Sequence, residues 1–392
     1  RRYPRRPRQN RPARSPPRST AGEPGRWDRL SEERVFEALD LCLMCRGCVA
    51  ECPSGVDMAK LKTEFLARYH DHHRRRLRDY LFGYFHVTAR ALSWAAPLTN
   101  LAARLPPLRR FMAMVLGLAA GRPLPRFAGH GPRPANTDTH PRVLFLRDAF
   151  THYLNPRVEQ AAFEALAAVG FDVVPLPTVA GNAALLSKGF TDAARRHVRQ
   201  ILDEMRKIDA EGQMAVVCIE PSEVYAVRHE WIELLPERSG EIADRTGRVW
   251  SAEEFLLQAI DRGALRIGTI DQSILLHPHC HQEAEKPRND SIPIGTNATV
   301  QLLRRCGYQV ELTEAGCCGM AGSFGFEAEH YELSQTIASL RLLPRIQASA
   351  GALIAATGAA CRMQIEQGTG ATVQHPVELV ARALTKPRPK AN

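Results

Sequence analysis

Four of the chain's ten cysteines fall within eleven residues, in the stretch LCLMCRGCVAECP. Cys42, Cys45, Cys48 and Cys52 have the spacing C-x2-C-x2-C-x3-C-P, which is typical of bacterial iron–sulfur ligands. The two-residue gaps let the first three thiols wrap one [4Fe–4S] cubane in a tight loop, and Pro53 turns the chain away after it. Zinc sites more often pair two C-x-x-C knuckles or add histidines, so the pattern favours iron–sulfur, with zinc as the alternative.

The ligand set of this first run is incomplete as the sequence stands. In proteins with two clusters, the fourth cysteine of such a run ligates the other cluster, which requires a second run. No cysteine occurs in residues 1–41. All four thiols are candidate metal ligands, but we expect Cys52 to be left without its own cluster.

A second group of candidate ligands lies near the C-terminus. Cys280 lies in HPHCHQ, Cys317 and Cys318 are adjacent in GCCGMAGSFG, and Cys361 lies in TGAACRMQ. Adjacent cysteines are unusual in a core, and Gly319 lets the backbone approach a cluster or fold tightly beneath it. We expect a four-thiolate site, with iron–sulfur favoured over zinc. The alternatives are a thiol–disulfide redox pair and a glycine-rich structural turn with buried thiols.

Three histidines alternate around Cys280. His277, His279 and His281 follow an apolar run, so they should share one face if the strand continues through them. They are interpreted as structural or as hydrogen-bonding to the site. His279 and His281 flank the thiol and are the candidates that would donate to cluster sulfurs and tune their potential.

Charge and hydropathy exclude several function classes. Residues 1–30 contain ten arginines and two acidic residues, a net charge of +8 out of the chain's +10. A basic tail without a nucleic-acid-binding motif gives no reason to expect nucleic-acid binding. No apolar run approaches the roughly 18 residues of a membrane span, and no secretory signal is recognisable. Clustered cysteines without such a signal indicate a reducing, cytoplasmic location.

Composition divides the chain into predicted segments. They are a disordered Arg/Pro-rich tail over 1–29, a helical iron–sulfur domain over 30–128, a linker over 129–141, a first α/β lobe over 142–265, a second over 266–385, and a tail over 386–392. After the linker, apolar runs alternate with helical patterns, and the runs are at 143–146, 171–176, 214–219, 273–276, 308–312 and 352–357. This alternation predicts an α/β fold with mainly parallel sheets.

The α/β region contains an internal repeat. AVGFDVV (168–174) matches RCGYQVE (305–311), and VCIEPSE (217–223) matches AATGAAC (355–361). The period is too long for a solenoid, so we predict two duplicated lobes. Only the second lobe has thiols at the motif positions. The first lobe has no cysteine at 148–152, has Val179, Ala180 and Gly181 where CCG would fall, and has Glu223 where the repeat has Cys361. Cys218 and Cys306, in a strand and at a helix end, are predicted to be core residues.

The combination of these motifs, in this order over roughly residues 30–385, resembles a known family. It is similar to the C-terminal half of bacterial FAD-linked oxidases of the D-lactate and D-2-hydroxyglutarate dehydrogenase type, in which a ferredoxin-type [4Fe–4S] domain precedes a cysteine-rich CCG domain. Related modules occur as iron–sulfur subunits of glycolate oxidase and anaerobic glycerol-3-phosphate dehydrogenase, and in heterodisulfide reductases. The family pattern ends in C-x-x-C, whereas this sequence has Gln364 at the last position.

The resemblance implies an oxidoreductase that transfers electrons. Oxidation of a 2-hydroxy acid such as D-lactate would reduce FAD, and electrons would then pass through the [4Fe–4S] and CCG-site centres to a quinone or cytochrome. In the family a flavin domain and a first cysteine run lie upstream. We recognise neither here, so we expect FAD on an upstream domain or on a flavoprotein partner. The alternatives are a free-standing iron–sulfur subunit of a glycolate oxidase or glycerol-3-phosphate dehydrogenase-like complex, and a non-catalytic zinc-binding scaffold.

A basic and aromatic stretch follows the first cysteine run. The plain interpretation is a solvated helix face, and the alternative is a peripheral contact with the inner face of the cytoplasmic membrane. The residues concerned are Arg74, Arg75, Arg76, Arg78, Tyr80, Phe82, Tyr84 and Phe85.

Overall fold

The computed structural model describes residues 26–129, 131–263, 270–288, 290–349 and 351–385. The predicted tails therefore lie outside the described residues, except for residues 26–29, which are helical. The region before the lobes consists of helices α1 (Arg26–Asp40), α2 (Gly47–Glu51), α3 (Met58–His72), α4 (Leu77–Gly83), α5 (Phe85–Trp94), α6 (Ala96–Arg104) and α7 (Pro106–Leu116).

Local sequence explains where these helices begin. Asp57 caps α3, because its Oδ1 accepts hydrogen bonds from the backbone N–H groups of Ala59 (2.9 Å) and Lys60 (3.1 Å). Pro97 and Pro106 lie in the first turns of α6 and α7, where the missing N–H of proline is tolerated. In the described residues, no helix is both long and apolar enough to cross a membrane.

The first lobe is an all-parallel four-stranded sheet with helices between its strands. Its order is β2-β1-β3-β4. The elements are β1 (Arg142–Leu146), α8 (Ala149–Leu154), α9 (Pro156–Ala168), β2 (Asp172–Pro175), α10 (Asn182–Ser187), α11 (Thr191–Ile208), β3 (Val216–Cys218), α12 (Pro221–His229), α13 (Trp231–Leu234), α14 (Ser239–Thr246), β4 (Val249–Ser251) and α15 (Ala252–Asp261).

The second lobe has the same topology. Its sheet is again parallel and four-stranded, in the order β6-β5-β7-β8. The elements are β5 (Ser273–His277), α16 (Cys280–Glu283), α17 (Gly295–Arg305), β6 (Gln309–Leu312), α18 (Tyr331–Leu340), α19 (Leu342–Gln347), β7 (Leu353–Ala356), α20 (Ala359–Thr369), β8 (Val373–Gln374) and α21 (Pro376–Thr385).

The two identical strand orders confirm the predicted duplicated α/β lobes with parallel sheets. Strands β4 and β8 were not predicted, and they are only three and two residues long. Runs as short as these carry too few apolar positions to show a strand pattern.

Both faces of the first sheet are covered, which is why its strands are continuous apolar runs. Val143 and Phe145 of β1 belong to one buried cluster, and Leu144 and Leu146 belong to another on the opposite face. The first of these clusters also contains residues of the second lobe, such as Leu276. The last helix, α21, packs against α9 of the first lobe, so the two lobes share a core.

Candidate metal centre

The second-lobe cysteines meet at one edge of their sheet. Cys280 begins α16 directly after β5, and Cys361 lies in the first turn of α20, after β7. Cys317 and Cys318 follow β6. The carboxyl ends of all parallel strands lie at the same edge of the sheet. A crevice forms at this edge where the strand order reverses, which is the usual position of a binding site in such sheets. Sheet topology therefore brings together thiols that are far apart in sequence.

The thiols at this edge interact with one another. The side chain of Cys318 is hydrogen-bonded to those of Cys317 and Cys361. Cys280 is close enough to Cys317 and Cys318 for their charges to raise its pKa, although burial is the larger cause. All four thiols of the predicted second site thus lie in one group, which we call the lobe-2 thiol group.

His277 also belongs to this group. One ligand atom each from His277, Cys318 and Cys361 lies within 4.8 Å of the others. The imidazole Nδ1 is 3.0 Å from the Thr313 hydroxyl, and burial lowers the pKa of His277 to about 4, so the ring is neutral at pH 7. The sequence analysis interpreted His277, like its two neighbours, as structural or as hydrogen-bonding to the site, and did not name it as a candidate ligand.

His279 and His281 take other positions, because the strand ends at His277 and the alternation does not continue. The Nδ1 atom of His279 accepts a hydrogen bond from the backbone N–H of His281 (3.1 Å), which caps α16. The Nε2 atom of His279 is 3.9 Å from a carboxylate oxygen of Glu220. The Nδ1 atom of His281 is buried without a hydrogen-bond partner among the described residues. Donation by these rings to a cluster remains a prediction.

Gly319 is required by the backbone at this site. Its φ is +80°, and a Cβ there would lie 2.4 Å from the carbonyl oxygen of Ser334. Its backbone N–H donates to the sulfur of Cys317 (3.3 Å). A side chain would therefore be excluded by both conformation and space.

The first cysteine run forms a tight loop with two left-handed residues. Met44 and Arg46 have φ of 53° and 63°, which coils the chain around Cys45. The pKa of Cys45 is raised by burial and then by the charges of Cys317, Cys42 and Cys48. The three thiols predicted to wrap a cubane are thus close enough for their charges to interact, and so are Cys45 and Cys317 of the lobe-2 thiol group.

Cys52 stands in a different environment. Hydrogen bonds from the backbone N–H groups of Val56 and Ser54 lower the pKa of its thiol. The sulfur of Cys48, by contrast, accepts a bond from the N–H of Met58 (3.3 Å). Cys52 is therefore hydrogen-bonded to the turn that follows it.

Arg46 holds the first cysteine loop on the lobes. Its side chain is 4% exposed and donates to both carboxylate oxygens of Asp57 (2.9 and 2.8 Å). It also pairs with Glu230 of the first lobe and lies over the ring of Tyr225, 5.3 Å from its centroid. The sequence did not predict this contact, since the partners of Arg46 lie up to 184 residues away.

The first lobe has a carboxylate where the second has a thiol. Val216 of β3 and Ile354 of β7 occupy equivalent positions in the two sheets, because each pairs with the third residue of the neighbouring strand. Seven residues further on, Glu223 therefore corresponds to Cys361. The carboxylate of Glu223 accepts hydrogen bonds from the backbone N–H groups of Asn182 and Ala183, both 3.2 Å. Burial, followed by the charge of Asp148, raises the pKa of Glu223 to about 8.

An apolar cavity of about 180 Å³ lies beside the lobe-2 thiol group. Cys280 lines it, together with the rings of Phe82, Phe85 and Phe150. Its polar lining includes Glu220, whose pKa is raised to about 7 by burial and then by the charge of Asp148. The cavity joins the helical region to both lobes at the thiols.

The stretch suggested for membrane contact is mostly engaged in internal contacts. Arg78 is 4% exposed and pairs with Glu327 and Glu329 of the second lobe. The guanidinium of Arg75 donates to the Gly189 carbonyl (3.0 Å). Phe82 and Phe85 line the cavity. Arg74, Arg76 and Tyr80 of the same stretch stay exposed, so peripheral membrane contact through this stretch stays a prediction.

The donor chemistry fits a thiolate-ligated metal. Burial raises the pKa of Cys280, and hydrogen bonding to Cys318 and then burial raise that of Cys317. The thiols are therefore protonated unless a cation compensates the thiolate charge, as a bound metal does. Thiols with one imidazole suit iron–sulfur clusters or zinc, both of which take soft sulfur ligands.

Comparison with known proteins gave several relatives, and no family model matches the chain. A D-2-hydroxyglutarate dehydrogenase of Escherichia coli (strain K12) is 27% identical over 373 residues, covering 90% of this chain and 35% of that protein. One from Pantoea ananatis is 26% identical over 373 residues. A component of the anaerobic glycerol-3-phosphate dehydrogenase of Escherichia coli (strain K12) is 27% identical over 376 residues, covering 93% of this chain and 91% of that component.

These matches confirm the predicted resemblance to this group of oxidoreductases. The chain spans about a third of the length of the D-2-hydroxyglutarate dehydrogenases it matches.

Proposed function

We propose, from its relationship to D-2-hydroxyglutarate dehydrogenases and to a component of anaerobic glycerol-3-phosphate dehydrogenase, that this chain is the electron-transferring iron–sulfur part of a dehydrogenase. The observation that carries the proposal is that the two cysteine groups adjoin. The side chain of His281, next to Cys280, is hydrogen-bonded to the carbonyl of Met44, next to Cys45, at 3.0 Å, and the charge of Cys317 helps to raise the pKa of Cys45. Two separate structural zinc sites would not require the two groups to adjoin.

The residues fit two adjoining centres. Cys42, Cys45 and Cys48 would hold a [4Fe–4S] cluster, with Cys52 as the remaining candidate ligand. The lobe-2 thiol group would hold the second iron–sulfur centre through Cys280, Cys317, Cys318 and Cys361. When bound, such clusters supply one-electron transfer, and the protein positions them and sets their potentials.

The chain's own contacts hold the two groups of thiols together. Arg46 fixes the first loop through Asp57 and Glu230. The side chain of His281 is hydrogen-bonded to the carbonyl of Met44, at 3.0 Å. Cys318 and Cys361 are buried, and Cys280 and Cys317 are half-buried, so the thiols of the second centre are largely removed from solvent.

The source of electrons is proposed from the relatives. Their name makes a 2-hydroxy acid, D-2-hydroxyglutarate, the proposed substrate, and D-lactate is the alternative that the resemblance of the motifs implies. FAD on a flavin domain or a flavoprotein partner is the proposed electron carrier between that acid and this chain. The similarity to a component of anaerobic glycerol-3-phosphate dehydrogenase supports the alternative that the chain serves as an iron–sulfur subunit within a multi-subunit complex.

The cavity beside Cys280 supports a small organic acceptor. Its aromatic lining suits a planar apolar molecule such as a quinone, and Glu220 and Ser222 supply polar groups. A cytochrome is the alternative acceptor, and it would not need the cavity. The proposed location is the cytoplasm, at the inner face of the membrane.

An electron-transfer assay tests this function. Anaerobically purified protein is mixed with photochemically reduced FAD, and its visible absorbance is followed before and after a water-soluble quinone is added. We expect bleaching by the reduced flavin and recovery with the quinone. Cys317→Ser should abolish the change at the second centre, whereas Cys306→Ala, a buried thiol elsewhere in the same lobe, should keep it. A protein whose absorbance does not respond to reduced flavin would refute the proposal.

A further inference from the structure

Helices α5, α6 and α7 expose large apolar side chains. Three of the most exposed are Trp94 (89%), Met114 (74%) and Leu98 (71%). The exposed set, which we call the α5–α7 face, consists of Val87, Trp94, Leu98, Leu101, Leu105, Leu108, Phe111, Met114 and Val115. Monomeric soluble proteins scatter such residues singly, and a group of this kind marks an interaction surface.

The amphipathicity of these helices is inverted. Along α6 and α7 the exposed apolar residues recur every three or four positions, as in Leu108, Phe111 and Met114, so they share one side of the helix. The buried side carries small residues instead, such as Ala89 and Ala113. A helix that serves only the protein core places its large apolar residues inward. The outward side of these helices therefore suits an apolar environment outside this chain.

The charge of this region is of one sign. Arg90, Arg104 and Arg110 are exposed on the same three helices. No Asp or Glu occurs between Tyr80 and Thr137. A second copy of the same cationic face would repel the first. An anionic lipid surface offers an apolar layer beneath negatively charged head groups, which matches both features.

We propose that the α5–α7 face docks onto an anionic lipid bilayer. The helices would lie along the interface, with Trp94, Leu98 and Met114 in the acyl-chain boundary and the arginines at the phosphate groups. In the described residues no helix is long and apolar enough to cross a membrane, and the proposed contact requires none. This inference deepens the proposed membrane location and does not depend on the metal.

The position of α5 connects this surface to the cavity. Its first residue, Phe85, lines the cavity beside Cys280, and Val87 and Trp94 of the same helix belong to the exposed face. Helix α5 would thus contact the cavity at its first residue and the docked bilayer at Val87 and Trp94. A lipid-soluble acceptor would have a short path between them.

Vesicle co-sedimentation of the full chain tests the proposal. The probes are vesicles of phosphatidylcholine with phosphatidylglycerol and vesicles of phosphatidylcholine alone, at low and high salt. Binding to the anionic vesicles is expected, and it should weaken with salt. Leu98→Glu combined with Met114→Glu should lower binding about tenfold or more, and Arg104→Gln about fivefold.

The matched control is Leu340→Glu, which changes an equally exposed leucine (72%) on α18. It should bind vesicles as the unchanged protein does, and circular dichroism should show the same melting for all variants. Failure of the unchanged protein to bind anionic vesicles would overturn the proposal. Equal vesicle binding by the double variant and the control would also overturn it. So would a dimeric unchanged protein that binds no vesicles and becomes monomeric in the double variant. Iron content of the same samples separates this failure from failure of the electron-transfer function.

Discussion

The Nε2 atom of His281 lies 3.0 Å from the carbonyl oxygen of Met44, across 237 residues of sequence. A carbonyl can only accept, so the imidazole donates from Nε2. Burial lowers the pKa of His281 to about 4, which keeps the ring neutral at pH 7. This bond joins the residue after Cys280 to the residue before Cys45, so it holds the two cysteine groups against each other.

Removing this bond should loosen the first cysteine loop. For His281→Ala we expect a loss of about 1 kcal/mol in the free energy of unfolding, because a partly buried acceptor loses its donor. Cys45 should also react faster with iodoacetamide. Urea unfolding and mass spectrometry of the alkylated thiol measure the two effects. The control is His72→Ala, which changes an exposed histidine on α3. Equal unfolding free energies and equal alkylation rates of Cys45 in the two variants would show that the bond does not stabilise the loop.

The thiols should differ in how much metal they retain. Cys318 is buried and hydrogen-bonded to two other thiols, whereas the sulfur of Cys52 is occupied by the backbone of Val56 and Ser54. Cys318→Ser should therefore remove more bound metal than Cys52→Ser, measured by elemental analysis of anaerobically purified protein. A larger loss from Cys52→Ser would mean that Cys52 completes the first cluster.

Gly319 should tolerate no side chain. Gly319→Ala would place a Cβ 2.4 Å from the Ser334 carbonyl oxygen at a φ of +80°. We therefore expect the free energy of unfolding to fall by about 3 kcal/mol or more, and the second centre to lose metal. Gly316 also has positive φ, +68°, but open space around its Cβ. Gly316→Ala should cost only about 1 kcal/mol. The denaturant midpoints of the two variants measure this difference. Equal losses of stability in both would show that the close approach of Gly319 to Ser334 does not matter.

An ion-pair network between the helical region and the second lobe should make stability pH-dependent. Burial would lower the pKa of His330, but hydrogen bonds to Asp40 (3.0 Å) and Glu327 raise it to about 9. Burial would raise the pKa of Glu327, but its bonds to His330 and Lys188 lower it to about 2. Arg78 faces the same carboxylate.

The two shifts act in opposite pH ranges. The raised pKa of His330 gives stability that is complete below the unfolded value of about 6.5 and is lost as pH rises through about 9. The lowered pKa of Glu327 gives stability that is complete above about 4.5 and is lost as pH falls through about 2. Thermal unfolding should show a decline of about 1–3 kcal/mol between pH 6.5 and pH 9. His330→Gln should flatten this decline, and an unchanged slope would rule out the network as its origin.

Part of this architecture was predictable because its signals are local. The spacing of Cys42, Cys45 and Cys48 is contained in seven residues, and the sequence showed the repeat that produced two parallel sheets. Cys218 and Cys306 were predicted as core residues from their positions in a strand and at a helix end, and both are fully buried.

The missed features all depend on contacts between distant segments. The approach of Cys45 to Cys317 requires the docked loop, whose anchors lie in another lobe. Arg78 was interpreted as a surface residue because its partners, Glu327 and Glu329, lie about 250 residues further along the chain. Only the folded lobes show that His277 belongs with Cys318, since strand β5 had to end at that residue.

The most direct test of the central claim is the content of iron and acid-labile sulfide in anaerobically purified protein. We predict more than one iron atom and more than one sulfide ion per chain, with a broad visible absorbance that dithionite bleaches. Zinc alone, or a protein without metal, would contradict it.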